Sequence, residues 1–207
     1  MTDNATVYVV DDDEAVRDSI SFMLDSVDMT YATFASADEF LQQLSEDAHG
    51  ALVLDIRMPG MSGLELQQRL AEMQVDIPII FITGHGDIPM AVEAMRRGAV
   101  DFIRKPFRDQ ELLDRIGEAL RMDQAQQSAV ASLAHVRACV GSLTPREHEV
   151  FERVCQGQAN KVMAIEMQIS ERTVEIHRGQ VMQKMGVRSL AELVRMKLQL
   201  EQADADT

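Results

Sequence analysis

The chain has 207 residues, 46% of them hydrophobic, and a formal net charge of −14. That length suits one or two domains with ordinary cores, and no apolar run approaches the ~20 residues a membrane-spanning helix needs. The opening Met-Thr-Asp-Asn-Ala-Thr lacks the basic and apolar regions of a signal peptide, and Cys139 and Cys155 have neither framework nor metal-ligand spacing, so a cytoplasmic protein with reduced thiols is expected.

The charge is unevenly spread. Residues 1–124 carry 24 Asp/Glu against 10 Lys/Arg, whereas the remainder carries 10 of each. Within 158–200, seven bases meet four acids. An acidic half and a locally basic half predict two domains with different partners.

In the first half, apolar runs predict strands near 6–11, 30–34, 50–54, 78–82 and 100–104. Amphipathic stripes lie between them: Val16, Ile20, Met23, Leu24 and Val27; then Leu66, Leu70 and Met73; then Leu112, Leu113, Ile116 and Leu120. Strands 1, 3, 4 and 5 are nearly continuous apolar runs, as in sheets covered on both faces. Five βα units predict a doubly wound α/β domain with a parallel sheet of flavodoxin-like order. Breakers mark the loops at Met58-Pro59-Gly60-Met61-Ser62-Gly63 and Gly84-His85-Gly86-Asp87.

Charged residues stand where those strands end. Tyr8-Val9-Val10 runs into Asp11-Asp12-Asp13, and Leu52-Val53-Leu54 runs into Asp55. A carboxylate after a buried strand is costly unless it has work to do. In an open parallel sheet, the crevice at the carboxyl ends of the strands is where ligands bind. Carboxylates gathered there suit a hard divalent cation such as Mg²⁺. Lys105, at a third strand end, implies that a negative group also arrives, and the chemistry suggested is phosphoryl transfer to a carboxylate.

Val10-Asp11-Asp12-Asp13, Leu54-Asp55-Ile-Arg-Met-Pro59-Gly-Met-Ser-Gly63, Ile82-Thr83-Gly-His-Gly and Lys105-Pro106-Phe107 together resemble the receiver domain of two-component response regulators, over residues 5–121. The resemblance implies that Asp55 accepts a phosphoryl group from a sensor histidine kinase. It implies Mg²⁺ held by Asp12, Asp55 and the main-chain carbonyl of Arg57, with Asp11 acting through water. Lys105 and Thr83 would contact the phosphoryl oxygens, and Phe102 would be the aromatic that rotates when Thr83 is drawn inward. Lys105-Pro106 would be a cis peptide. Arg57 and His85 would flank the attacking water. The surface containing Met90–Arg97 and Phe102–Ile103 would then rearrange and receivers would dimerise. An aspartate-nucleophile phosphatase is disfavoured, because it needs an acid where Arg57 stands.

Residues 122–141 contain good helix formers and no proline, so the last receiver helix is expected to run on as a linker to about residue 138, with Gly141 ending it. Thr144-Pro145-Arg146-Glu147 then reads as a helix start. Further short helices are expected from Asn160 to Met167, from Ser170 to about Met185, and from Ser189. Their tight turns describe a four-helix, all-α domain over 142–201 with a helix-turn-helix. In the third helix, Val174, Val181, Met182 and Met185 would pack inward. Arg172, Glu175, Ile176 and Gly179 recur on the other side, where Ile176 could meet a thymine methyl and Gly179 would permit close approach to DNA.

Leu143-Thr-Pro-Arg-Glu147, Gly157-Gln-Ala-Asn160-Lys161, Ile169-Ser-Glu-Arg-Thr-Val174-Glu-Ile-His177-Arg178 and Met182-Gln-Lys-Met185 resemble a LuxR-type helix-turn-helix. With the receiver, residues 5–200 resemble the FixJ branch of the NarL/FixJ response regulators. That implies double-stranded promoter DNA as a partner, with RNA polymerase as another if the protein activates. Thr173, Arg178, Lys161, Asn160, Lys184 and Arg188 are candidate phosphate contacts, and Arg172, Glu175, Ile176 and Gly179 candidate base readers. Gly179 departs from the family's usual larger residue. The function implied is a phosphorylation-controlled transcriptional regulator with no enzymatic turnover beyond its own phosphorylation and dephosphorylation. A phosphate-accepting adaptor that does not use DNA is the competing reading.

Overall fold

Five apolar runs become parallel strands: β1 (Thr6–Val10), β2 (Tyr31–Phe34), β3 (Gly50–Asp55), β4 (Ile79–Thr83) and β5 (Asp101–Arg104). This computed structural model describes residues 5–45, 48–84 and 88–205. Two units divide the chain, 1–126 and 127–207. In the first, strand order is β2-β1-β3-β4-β5, every neighbouring pair parallel. That order is the flavodoxin-like one, with the switch of direction between β1 and β3.

Every residue of β3 and of β4 is buried, which explains their unbroken apolar character. Alternation along the strands sends side chains to two cores. One gathers Leu52, Leu54, Phe81 and Phe40; the other gathers Val9, Val53, Ile80, Ile82 and Ile116. Tyr8, Phe34 and Phe40 meet edge-on or tilted at the outer strand. Each fully buried large aliphatic or aromatic side chain contributes roughly 1.5–3 kcal/mol.

The helices covering the sheet are α1 (Glu14–Asp25), α2 (Ala37–Gln43), α3 (Gly63–Glu72), α4 (Ile88–Arg96) and α5 (Asp109–Gly141). Asp13, Ser36 and Ser62 cap the first three by accepting backbone N–H bonds, and Ser62 closes a capping box with Glu65. Two stripe members fall outside the core. Val27 is 42% and Met73 46% exposed, because each lies just past the end of its helix, where the helical face no longer points at the sheet.

The expected helical linker is present as a continuation of the last receiver helix. Helix α5 is continuous through it and ends at Gly141. Val136, on its distal turns, is 2% exposed and belongs to the hydrophobic cluster of the second unit. That cluster also holds Val150, Phe151, Met163, Val174, Val181 and Leu193. They come from α6 (Pro145–Cys155), α7 (Asn160–Glu166), α8 (Glu171–Lys184) and α9 (Leu190–Ala205). Thr144 caps α6 in a capping box with Glu147, Pro145 stands in its first turn, and Ser170 caps α8. Left-handed glycines, Gly157 and Gly186, follow α6 and α8.

Candidate metal centre and nucleic-acid interface

The strand ends bring three carboxylates together. Asp11 and Asp12 follow β1, and Asp55 is the last residue of β3. One oxygen from each lies within 4.8 Å of the others. Asp11 is fully buried, Asp55 nearly so, and Asp12 is exposed. An all-oxygen, acidic, partly open donor set of this kind fits a hard divalent cation.

Each of the two buried carboxylates is held. Asp11 Oδ1 accepts the Asp13 N–H at 3.0 Å, and Asp55 Oδ2 accepts the Arg57 N–H at 3.1 Å. Lys105, just past β5, reaches across with Nζ 2.5 Å from Asp11 Oδ2 and 3.1 Å from Asp55 Oδ1. Its backbone N–H donates to the Thr83 carbonyl, which ties the end of β5 to that of β4. The Lys105-Pro106 bond is cis. Burial raises the Asp55 carboxyl above its ordinary value, although Lys105 pulls the other way. Burial also works against the Lys105 charge, but its bonds to Asp11 and Asp55 outweigh that, and the ammonium is held above its usual range. The arrangement sets the Lys105 ammonium against the Asp11 and Asp55 side chains at the mouth of the crevice. A second cation there would relieve their mutual repulsion.

Gly63 closes the floor. Its N–H donates to the Ile56 carbonyl, and a Cβ there would sit 2.3 Å from the Asp55 carbonyl oxygen. Thr83 is buried at the end of β4, and Phe102 is half-buried against the cluster that includes Phe81. The expected water-flanking His85 lies outside the described residues.

In the second unit the ten candidate DNA residues divide by what they touch. Asn160 and Arg178 bond one another, Nη1 to Oδ1 at 2.5 Å, linking α7 to α8. The Thr173 hydroxyl meets that of Ser170. Lys184 is engaged with the fold, its Nζ 2.7 Å from Glu147 Oε2 and 3.1 Å from the Ser142 carbonyl. Lys161, Arg172, Glu175 and Arg188 are exposed, and no hydrogen bond or ion pair forms on their side chains among the described residues. Sequence reasoning missed Gln180 and Gln183. Both are exposed on the same face of α8, and two more glutamines at spacings of three and four would have shown it.

Glu147 fastens the C-terminal end of α8 to the start of α6, with its side chain 5% exposed. The bond from Lys184 and the Thr144 N–H hold its carboxyl below the ordinary 4.5. A depressed carboxyl stabilises the fold above the unfolded value and loses that contribution as pH falls through the folded one. Glu147→Gln is therefore expected to lower the unfolding midpoint of this unit near neutral pH. The gap from wild type should close as pH drops below about 4.5, which thermal unfolding at a series of pH values checks. Burial pushes the Cys155 thiol up to about 11, so it stays protonated and inert.

Comparison with known proteins finds a family for each unit. The model for "Response regulator receiver domain" matches residues 7–117, and that for "Bacterial regulatory proteins, luxR family" matches 141–197. Nodulation protein W of Bradyrhizobium diazoefficiens is 49% identical over 192 residues, 93% of this chain and 85% of that protein. Transcriptional regulatory protein FixJ of Rhizobium meliloti is 46% identical over 198 residues, 96% of this chain and 97% of its own length. The structure of response regulator StyR superposes with a TM-score of 0.85 at 46% identity, covering 93% of this chain and 97% of that one. Full-length FixJ from B. japonicum gives 0.60 at 44%, covering 97% and 99%. The strand-end carboxylates sit in the receiver match and the exposed face of α8 in the LuxR match, and the chain belongs to the two-component response regulators that join a receiver to a LuxR-type DNA-binding domain.

Proposed function

We propose that Asp55 is the phosphoacceptor through which a sensor histidine kinase controls binding of this protein to promoter DNA. The observation carrying this reading is the placement of Asp55: a nearly buried carboxylate with Lys105 Nζ 3.1 Å away and oxygens of Asp11 and Asp12 within 4.8 Å. A carboxylate attacks a phosphoryl group poorly because both are negative. A bound Mg²⁺ supplies the positive charge that offsets this repulsion, and Asp11, Asp12, Asp55 and the Arg57 carbonyl are its proposed ligands. Lys105 adds a fixed ammonium for the phosphoryl oxygens.

An Asp55 carboxylate oxygen forms the new P–O bond while the P–N bond to the kinase imidazole breaks. Water later attacks the same phosphorus, releasing inorganic phosphate and restoring the carboxylate. Thr83 offers its hydroxyl to the new phosphoryl group, and Phe102, half-buried, changes rotamer when Thr83 moves. Arg57 tunes access of water. Phosphorylation then favours a homodimer, and two DNA-binding units occupy paired half-sites together. Asn160, Lys161, Thr173, Arg178 and Arg188 face phosphates, and Arg172, Glu175, Ile176 and Gly179 face bases. Lys184 holds α8 in place and reaches phosphate only where its bond to Glu147 permits. The protein works in the cytoplasm, with RNA polymerase as a further partner if it activates.

Selection of bound duplexes from random DNA, with and without beryllofluoride plus Mg²⁺, tests the reading. Beryllofluoride mimics the phosphoryl group on Asp55. Enrichment of a two-fold site with the mimic alone is expected. Equal enrichment in both conditions would remove phosphorylation as the gate, and enrichment in neither would favour the adaptor.

A further inference from the structure

Among the described residues, Gln67 alone is a buried side chain with a polar atom that no hydrogen bond meets. It stands on α3 and is 6% exposed. Its Nε2 donates to the Ala94 carbonyl at 3.2 Å and to the Arg97 carbonyl at 3.4 Å, both at the end of α4. Those two acceptors fix which amide atom lies where, because exchanging them would set Oε1 against two carbonyl oxygens. Oε1 is therefore the atom turned away from them, and it is buried without a donor. A buried acceptor left unmet is costly, and native folds hold few.

The same glutamine lines a cleft of about 370 Å³ between the C-terminal half of α3 and the turn that joins α4 to β5. Leu70, Val75, Ile77 and Ile79 give the cleft an apolar side. Arg97 stands exposed at its rim. The Arg97 Nη1 reaches the Leu64 carbonyl and Gln68 Oε1 only at 3.5 Å, the outer limit of a hydrogen bond, so this wall can swing aside. An apolar wall with a few placed polar groups is the composition of small-molecule sites. The cleft opens at the start of β4, whereas Asp55 and Thr83 lie at the other ends of their strands. We propose that it binds a small neutral molecule with an apolar body and one hydroxyl or N–H donor, the donor meeting Gln67 Oε1. Arg97 disfavours a cation there. An anion would bring no proton for Oε1 and would face Asp76, which also lines the cleft. An occupant would touch both α3 and the turn after α4, holding those two elements together.

Cyclohexanol is the probe that tests this, and cyclohexyl methyl ether is its control, because the ether keeps the ring and lacks the donor. Each is titrated into the full chain labelled with nitrogen-15. The Gln67 side-chain amide and the Ile79 and Gly98 backbone amides are followed by NMR. Wild type is expected to show saturable shifts at all three, with a dissociation constant on the order of millimolar for cyclohexanol. The ether should bind roughly fivefold more weakly, or worse. Gln67→Leu, checked for an unchanged circular dichroism spectrum, should bind the two probes alike. Ala71→Leu fills the cleft from an exposed position on α3 and leaves Gln67 in place, so it should weaken both probes.

Absence of saturable shifts at these three groups overturns the proposal and leaves Oε1 to solvent alone. Equal affinity of wild type for the ether overturns the donor class. Retained discrimination in Gln67→Leu overturns the role of Oε1, and wild-type affinity in Ala71→Leu overturns the location. If Gln67→Leu does not fold, the ether and Ala71→Leu decide between them. The titration needs neither phosphorylation nor DNA, so it stands or falls apart from the switch.

Discussion

An Asp55→Asn chain is expected to take up no label from radiolabelled acetyl phosphate in Mg²⁺, a loss on the order of a thousandfold or more. The amide is nearly isosteric, so the geometry should survive. Its oxygen can still accept the Arg57 N–H, now 3.1 Å from Asp55 Oδ2, and Lys105 keeps its 2.5 Å contact with Asp11. What disappears is the nucleophile and one negative charge. Stability should change as well. Burial raises the Asp55 carboxyl in the folded chain. A raised carboxyl destabilises the fold once pH exceeds the unfolded value, because ionisation is then less favourable folded than unfolded. Removing that charge should raise the thermal midpoint at neutral pH when divalent cation is absent. Lost labelling with a raised midpoint identifies a site lost from an intact fold. Labelling that persists at full stoichiometry would move the phosphoacceptor elsewhere.

The second large effect is expected from Gly63→Ala. The new methyl would lie 2.3 Å from the Asp55 carbonyl oxygen and 3.1 Å from both the Asp55 carbonyl carbon and the Ile56 Cα. All three are backbone atoms of a strand end that cannot swing aside as a long side chain would. Either the start of α3 or the end of β3 must shift, at a cost of roughly 2–4 kcal/mol. A drop of about 10 °C in the receiver's unfolding midpoint is expected from that range. Labelling should slow as well, since the displaced atoms carry the nucleophile. Gly117→Ala is the control of opposite sign. Its Cβ would meet only the end of the flexible Arg121 side chain, at 3.6 Å inside α5, so it should stabilise by up to about 1 kcal/mol. A Gly63→Ala chain as stable as wild type would remove the close approach as a constraint.

Much of this molecule was legible in its sequence because the informative residues sit where local chemistry places them. Asp11, Asp55 and Lys105 end strands whose apolar runs announce them, and the strand order followed from the βα alternation. Capping pairs such as Ser62 with Glu65 and Thr144 with Glu147 are three residues apart and readable by eye. What local reading left unseen has a common cause, which is distance along the chain. Lys184, a candidate phosphate contact, also bonds Glu147, 37 residues away. Arg178 likewise bonds Asn160 from 18 residues away. Such pairings depend on how helices cross, and no local pattern encodes them. Val136 was missed differently. Leu133, Val136 and Val140 recur at spacings of three and four, a stripe that the reading of 122–141 as a linker passed over.

That valine bears on how such proteins exchange parts. The LuxR match begins at residue 141, which suggests cutting there when grafting this DNA-binding module onto a foreign sensor. A cut at 141 would leave Val136 behind and take one buried member from the cluster it shares with Val150 and Phe151. Residues 127–132 are all exposed and contribute to neither core. A crossover in that stretch would leave both hydrophobic interiors whole. The heritable unit, for recombination in nature or at the bench, is thus longer than the family motif, and it carries its last helical turns of α5 as part of its own interior.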